Sequence, residues 1–153
     1  MKTVVVDGFR TPFCKEGTFL KDVTPDLLGA LAVREMIKRM DALNLQPSTV
    51  DFVVGSNVAT PANAPNIARV AAVKGGLPES IPADTINKNC GSGIAAVNYG
   101  RLLIDAGRAE TVLVVGVESM SRIPLIYSEA VKEDFYSLQR ARTTKEKLAV
   151  MSR

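Results

Sequence analysis

The sequence has no histidine and no tryptophan among its 153 residues, and only two cysteines, Cys14 and Cys90. The missing imidazole removes Ser-His-Asp, Cys-His and histidine-ligated zinc chemistry from anything this chain does alone. Two thiols cannot build a four-thiolate metal centre, so no metal site is expected. In a cytosolic protein a disulfide between them is not expected either. No apolar run approaches the ~20 residues that span a bilayer. Val4-Val5-Val6, followed at once by Asp7 and Gly8, is too short for a secretory signal, so the default location is cytoplasmic. Nineteen Lys and Arg against 16 Asp and Glu leave a net charge of +3, too mild to indicate nucleic acid without a concentrated patch. No such patch occurs before residue 132, and the glycine patterns that cradle nucleotide phosphates are absent.

What is present is a globular balance, 46% hydrophobic and 23% charged with 11 Gly and 8 Pro, which excludes disorder and collagen-like structure. A chain of this length buries about two thirds of its unfolded surface without staples. Residues 3–7, 52–55 and 111–117 are apolar on both faces, as strands of a covered parallel sheet are, and residues 81–88 are a further strand candidate. Thr24-Pro25-Asp26 starts a helix whose Leu28, Ala32, Met36 and Met40 recur every four residues, to about Asp41. Asn66 caps a shorter helix that Gly75-Gly76 and Pro78 stop. Residues 92–106 are apolar around most of the helical circumference, which predicts a buried helix closed by Gly107. This alternation of strands and helices builds right-handed crossovers over a parallel sheet, hence one layered α/β domain. Residues 129–153 are charged, with Val131, Phe135 and Leu138 at helical spacing and a basic set at Arg140, Arg142, Lys145 and Lys147, and read as a surface helix or hairpin. The stop at Arg153, with no closing strand, reads as a piece of a longer protein.

Chemistry concentrates in Asn87-Lys88-Asn89-Cys90-Gly91-Ser92-Gly93, where a strand end passes through two glycines into a helix. A thiol at a helix N-terminus meets the positive end of the dipole and unpaired N–H groups, which favour thiolate. Gly91 and Gly93 clear side chains from beside the sulfur, and the N–H of Cys90 can help hold an oxyanion, a geometry suited to acyl transfer. The competing reading makes Cys90 a small core residue and the glycines a device for tight helix–strand packing. On residue chemistry alone the two stand about even. Cys14, in a loop entry, reads as an incidental thiol, and Gly55-Ser56 and Gly116 as ordinary strand-ending turns.

Three segments in register carry a resemblance: Arg10-Thr11-Pro12-Phe13, the Cys90 segment above, and Gly116-Val117-Glu118-Ser119-Met120-Ser121-Arg122-Ile123-Pro124. Together they resemble the N-terminal part of a thiolase, an acetyl-CoA acyltransferase. The nearest type is the 3-ketoacyl-CoA thiolase of the fatty-acid β-oxidation complex. The resemblance implies a layered α/β/α domain with a mostly parallel sheet, incomplete in this chain because a fifth, antiparallel strand inside the sheet comes from later residues. It divides the chain into a core domain, residues 1–124, and the start of a helical insertion, residues 125–153, that helps bind coenzyme A. It makes Cys90 the nucleophile that takes an acyl group as a thioester, with acyl-CoA and coenzyme A as substrates and no permanently bound cofactor. The activating histidine and a second cysteine would come from the C-terminal half. A homodimer or dimer of dimers is implied, with the strand before Cys90 pairing across a two-fold axis. A β-oxidation partner subunit or a membrane surface is a further candidate for contact. The rival readings are a biosynthetic acetoacetyl-CoA thiolase, a decarboxylating ketoacyl synthase, and an inert interaction module in which residues 126–153 dock a partner.

Overall fold

The structure, a computed structural model, describes residues 3–152, so Met1, Lys2 and Arg153, the last of the expected charged segment, lie outside the described residues. Helix α1 spans Pro25–Ala42, with Thr24 at the N-cap position in extended backbone and Pro25 at the first helical position, although the Thr24 side chain makes no capping bond. Strand β1 (Phe52–Ser56) follows, then helix α2 (Ile67–Gly75). The Asn66 side chain accepts the Arg69 N–H at the start of α2, and Gly76, at φ 105°, ends it in the left-handed region that glycine enters without strain. Strand β2 (Ala83–Ile86), helix α3 (Ser92–Asp105) and strand β3 (Val112–Gly116) complete the core, and Gly107 takes φ 66° just past α3. Single-turn 3-10 helices at Pro47–Thr49 and Met120–Arg122 serve as connectors.

The three strands form a parallel sheet in the order β2-β1-β3, with Val53 opposite Ala83 and Leu113, and Ser56 opposite Ile86 and Gly116. Alternate residues of the sheet face opposite layers. Val53 and Val115 pack with Val33 and Met40 of α1 and with Ala68 and Ala72 of α2. Val54 packs on the other side with Ala96 and Leu103 of α3. Helix α2 lies so close to β1 that a Cβ on Gly55 would stand 2.5 Å from the Cβ of Ala68. The result is the layered α/β/α arrangement expected, with an incomplete sheet.

Two expectations fail. Residues 3–7 form no strand, and Val5 is 85% exposed. An extended segment becomes a strand only when a neighbour completes its ladder, and the fifth strand expected inside the sheet is not supplied by these residues. The segment is held instead by an ion pair of Asp7 with Arg39 (3.0 Å), whose guanidinium also lies 5.6 Å from the Phe9 ring centroid. A slot of about 70 Å³ remains between Phe9, α1 and β3. The second failure is α3, which is not buried all round: Ala96, Gly100 and Leu103 face the sheet, while Ile94 is 79% exposed and Val97 and Leu102 are also exposed. Its apolar circumference exceeds what one sheet face covers.

The charged segment is a helical hairpin, α4 (Glu129–Arg140) and α5 (Thr144–Met151), packed against each other. Ser128 caps α4. Thr143 and Glu146 form a reciprocal capping box at the start of α5. Neither helix contains a buried residue, and the Tyr127 and Phe135 rings meet edge to face at 5.8 Å on the surface. No helix among the described residues is long and apolar enough to cross a membrane.

Candidate active site

Cys90 sits in the turn from β2 to α3, just before Gly91, which occupies the helix N-cap position. Its side chain is exposed and the thiol is free, as is that of Cys14. The turn is closed from inside by Ser92, only 4% exposed, whose Oγ accepts the Lys88 N–H (2.7 Å) and donates to the Asn89 carbonyl (2.6 Å). Gly91 N–H and Ser92 N–H donate back to the Lys88 and Asn89 carbonyls. Asn89 adopts φ 50°, a left-handed conformation that asparagine tolerates better than most side chains.

The packing explanation for the glycines does not hold at this turn. A Cβ on Gly93 would meet nothing within 4 Å, and one on Gly91 would meet only the Lys88 carbonyl, at 3.3 Å. The close approach of α3 to the sheet is at Gly100, two turns on, where a Cβ would lie 3.1 Å from Val112 Cγ1. Among the described residues Cys90 is exposed rather than packed in the core. The structure therefore sets the thiol at the mouth of a helix N-terminus with open space over Gly93.

Beside it the carboxyl ends of the other two strands are tied together by a set of contacts that the sequence did not reveal. The Glu118 carboxylate, after β3, accepts the N–H groups of Val58 (2.8 Å) and Ala59 (3.2 Å) and the side-chain amide of Asn57 (3.1 Å), all in the loop after β1. Asn57, 2% exposed, also donates to the Val117 carbonyl. From the third strand end, Asn87 Nδ2 donates to the Val58 carbonyl (3.0 Å) while its Oδ1 accepts the Asn89 N–H (3.1 Å). Glu118 thus belongs to a bonded loop junction, two residues past the end of β3 at Gly116.

A cavity of about 460 Å³ lies elsewhere, on the outer edge of β2, lined by Pro65, Asn66, Asp84, Thr85, Ile86 and Tyr99. The Tyr99 hydroxyl donates to Asp84 Oδ2 (3.2 Å), and that bond, with some desolvation, holds the phenol above its ordinary range. Among the described residues no three Cys, Asp or Glu side chains come together in a way that would hold a metal ion.

Comparison with known proteins bears on the family and the fold. Residues 3–152 match the family model described as the thiolase N-terminal domain. A "Probable acetyl-CoA acyltransferase" of Staphylococcus aureus (strain NCTC 8325 / PS 47) is 38% identical over 129 residues, 84% of this chain and 32% of that protein. One of Staphylococcus epidermidis (strain ATCC 35984) is 35% identical over 125 residues, 82% and 31% respectively. The crystal structure of the Bacillus anthracis acetyl-CoA acetyltransferase superimposes with a TM-score of 0.69 at 33% identity, covering 74% of this chain and 28% of that one. The chain spans about a third of the length of the curated relatives it matches. With that family match and the same layered fold, the chain belongs to the thiolase family as its N-terminal domain.

Proposed function

We propose that the whole protein cleaves 3-ketoacyl-CoA with coenzyme A, releasing acetyl-CoA and a shortened acyl-CoA, in fatty-acid β-oxidation in the cytoplasm. Cys90 is the nucleophile. Its thiol proton passes to a base as the sulfur attacks the C3 carbonyl carbon, the C2–C3 bond breaks, and the departing acetyl-CoA enolate takes a proton. The sulfur of coenzyme A then attacks the Cys90 thioester, its proton passes to a base, and the thiol is regenerated. This chain contains no histidine, and by the resemblance the activating histidine and the second cysteine that moves the proton come from residues of the whole protein outside it. The 153-residue chain alone is accordingly expected not to turn over, since loss of the base from a nucleophilic pair costs orders of magnitude in rate.

The observation that carries this reading is the exposed thiol at the start of α3, in a turn where a Cβ on Gly93 would meet nothing within 4 Å. The degradative direction draws its support from the helical hairpin α4 (Glu129–Arg140) and α5 (Thr144–Met151), which lies where the resemblance expects an insertion. On this reading residues 1–124 are core domain and 125–153 the start of the coenzyme A-binding insertion. A homodimer or dimer of dimers through β2 fits its outer edge, which carries a row of backbone groups without a strand partner. Release of acetyl-CoA from a 3-ketoacyl-CoA by the whole protein, lost in Cys90→Ala, tests the proposal. Cleavage retained by that variant overturns it.

A further inference from the structure

We infer that Asn87 is a positioning residue for Cys90, tying the nucleophile's turn through Val58 to the Glu118 carboxylate. The inference rests on the reading of Cys90 as the nucleophile. Three strand ends meet here, and each is bonded to the next. Glu118 after β3 fixes the two consecutive N–H groups of Val58 and Ala59 after β1. The carbonyl of the same Val58 is taken by Asn87 Nδ2 after β2. The other end of that amide, Oδ1, receives the Asn89 N–H, two residues on. Such a bond from an asparagine to the backbone two residues later makes a local turn that fixes the residue two positions on, and asparagine tolerates the left-handed region there. Asn89 is that residue, at φ 50°. Cys90 comes next, so the direction in which the chain presents its sulfur depends on the conformation at Asn89.

Ser92 closes the same turn from the helix side. Its bonds lie within the turn and α3, and do not fix the turn against the rest of the molecule. Asn87 alone among these contacts bridges the turn to another strand's loop. A carboxylate accepting two backbone N–H groups makes bonds stronger than neutral ones, which suits Glu118 as the fixed end of the chain of contacts. Asn87 itself is exposed, so its bonds compete with water and their net effect is a fold-change in turn opening rather than loss of the fold.

Residue-resolved amide exchange on the whole protein tests the tie independently of any activity. Asn87→Ala should speed exchange at Asn89, Gly91 and Ser92 by about five- to tenfold, the loss of one to two modest hydrogen bonds, with α1 and the sheet unchanged. Asn87→Asp keeps the acceptor for Asn89 and loses the donor to Val58, so it should leave Asn89 protected while loosening Gly91 and Ser92. Glu118→Gln should open Val58 and Ala59 and, through Asn87, the same turn, and the double variant Asn87→Ala/Glu118→Gln should open the turn no further than Asn87→Ala. In the whole protein Asn87→Ala should lower kcat about tenfold with KM within twofold, as misdirection of a nucleophile does. Unchanged turn exchange in Asn87→Ala, or additive effects in the double variant, overturns the tie. Loosened exchange with unchanged kcat overturns the positioning role. Neither outcome bears on whether Cys90 is acylated, which Cys90→Ala decides separately.

Discussion

Replacing Lys74 by methionine removes the ammonium that lies 2.6 Å from Asp26 Oδ2 and joins the start of α1 to the end of α2. The Asp26 side chain is 3% exposed and its Oδ1 has no partner, whereas the Lys74 side chain is 54% exposed. Burial, the largest influence on Asp26, pushes its carboxyl up. The bond from Lys74 pulls it down further, so the group ends below its ordinary value. Loss of one partner costs about 3–5 kcal/mol in a fully buried pair and about 1 kcal/mol or less in an exposed one. With one partner buried and one half in solvent, about 2 kcal/mol is expected. At roughly 2–4 °C per kcal/mol for a chain of this size, the thermal midpoint should fall by about 4–8 °C at pH 7. The pH dependence has a definite sign. In the parent chain Asp26 has a depressed folded value, so its contribution is present above the unfolded value near ~3.9 and is lost as pH falls through the folded one. Without Lys74, burial prevails, the folded value rises above the unfolded one, and protonation becomes stabilising. Thermal unfolding followed by circular dichroism should therefore show the gap between variant and parent shrinking from pH 7 to pH 4. An equal gap at both pH values, or a shift below about 1 °C at pH 7, would refute the reasoning.

Gly55→Ala should destabilise the chain by about 1–3 kcal/mol in urea unfolding, because the new Cβ meets Ala68 Cβ at 2.5 Å and its Cα at 2.8 Å. Adding Ala68→Gly should recover part of the loss, and a neutral Gly55→Ala would contradict the close packing of α2 on β1. Glu146, held below its ordinary range by the N–H groups of Arg142 and Thr143, should keep those amides protected at neutral pH. The protection should disappear as pH falls through the lowered value, and exchange unchanged on acidification would exclude the capping box. Both cysteines are exposed and free, so a thiol reagent should titrate two equivalents rapidly in the native chain and one in Cys90→Ala. A single fast thiol in the parent would place Cys90 or Cys14 in the interior.

Local signals in the sequence carried much of the fold. Asn66 before an apolar run and Gly75-Gly76 after it bounded α2, and β1 and β3 fell within a residue or two of their apolar runs, because caps and strand patterns act over a few residues. The exposure of Cys90 was not legible in this way, since a strand–glycine–helix passage fits an exposed thiol and a small packed residue alike. Residues 3–7 and the outer face of α3 misled because hydrophobicity records the surroundings a segment has in the whole protein, while these residues supply only part of them. The Glu118 contacts were illegible for another reason. They join loops about 60 positions apart, and a carboxylate binding backbone N–H groups leaves no periodicity or spacing to read.

In the proposed reaction Cys90 carries the acyl group. Incubation of the whole protein with a radiolabelled 3-ketoacyl-CoA, an acid quench and peptide mapping test this directly. The label should appear on the peptide containing Cys90, be released by hydroxylamine as a thioester, and be absent from Cys90→Ala. Label recovered on Cys14, or an adduct that persists after Cys90→Ala, would contradict it.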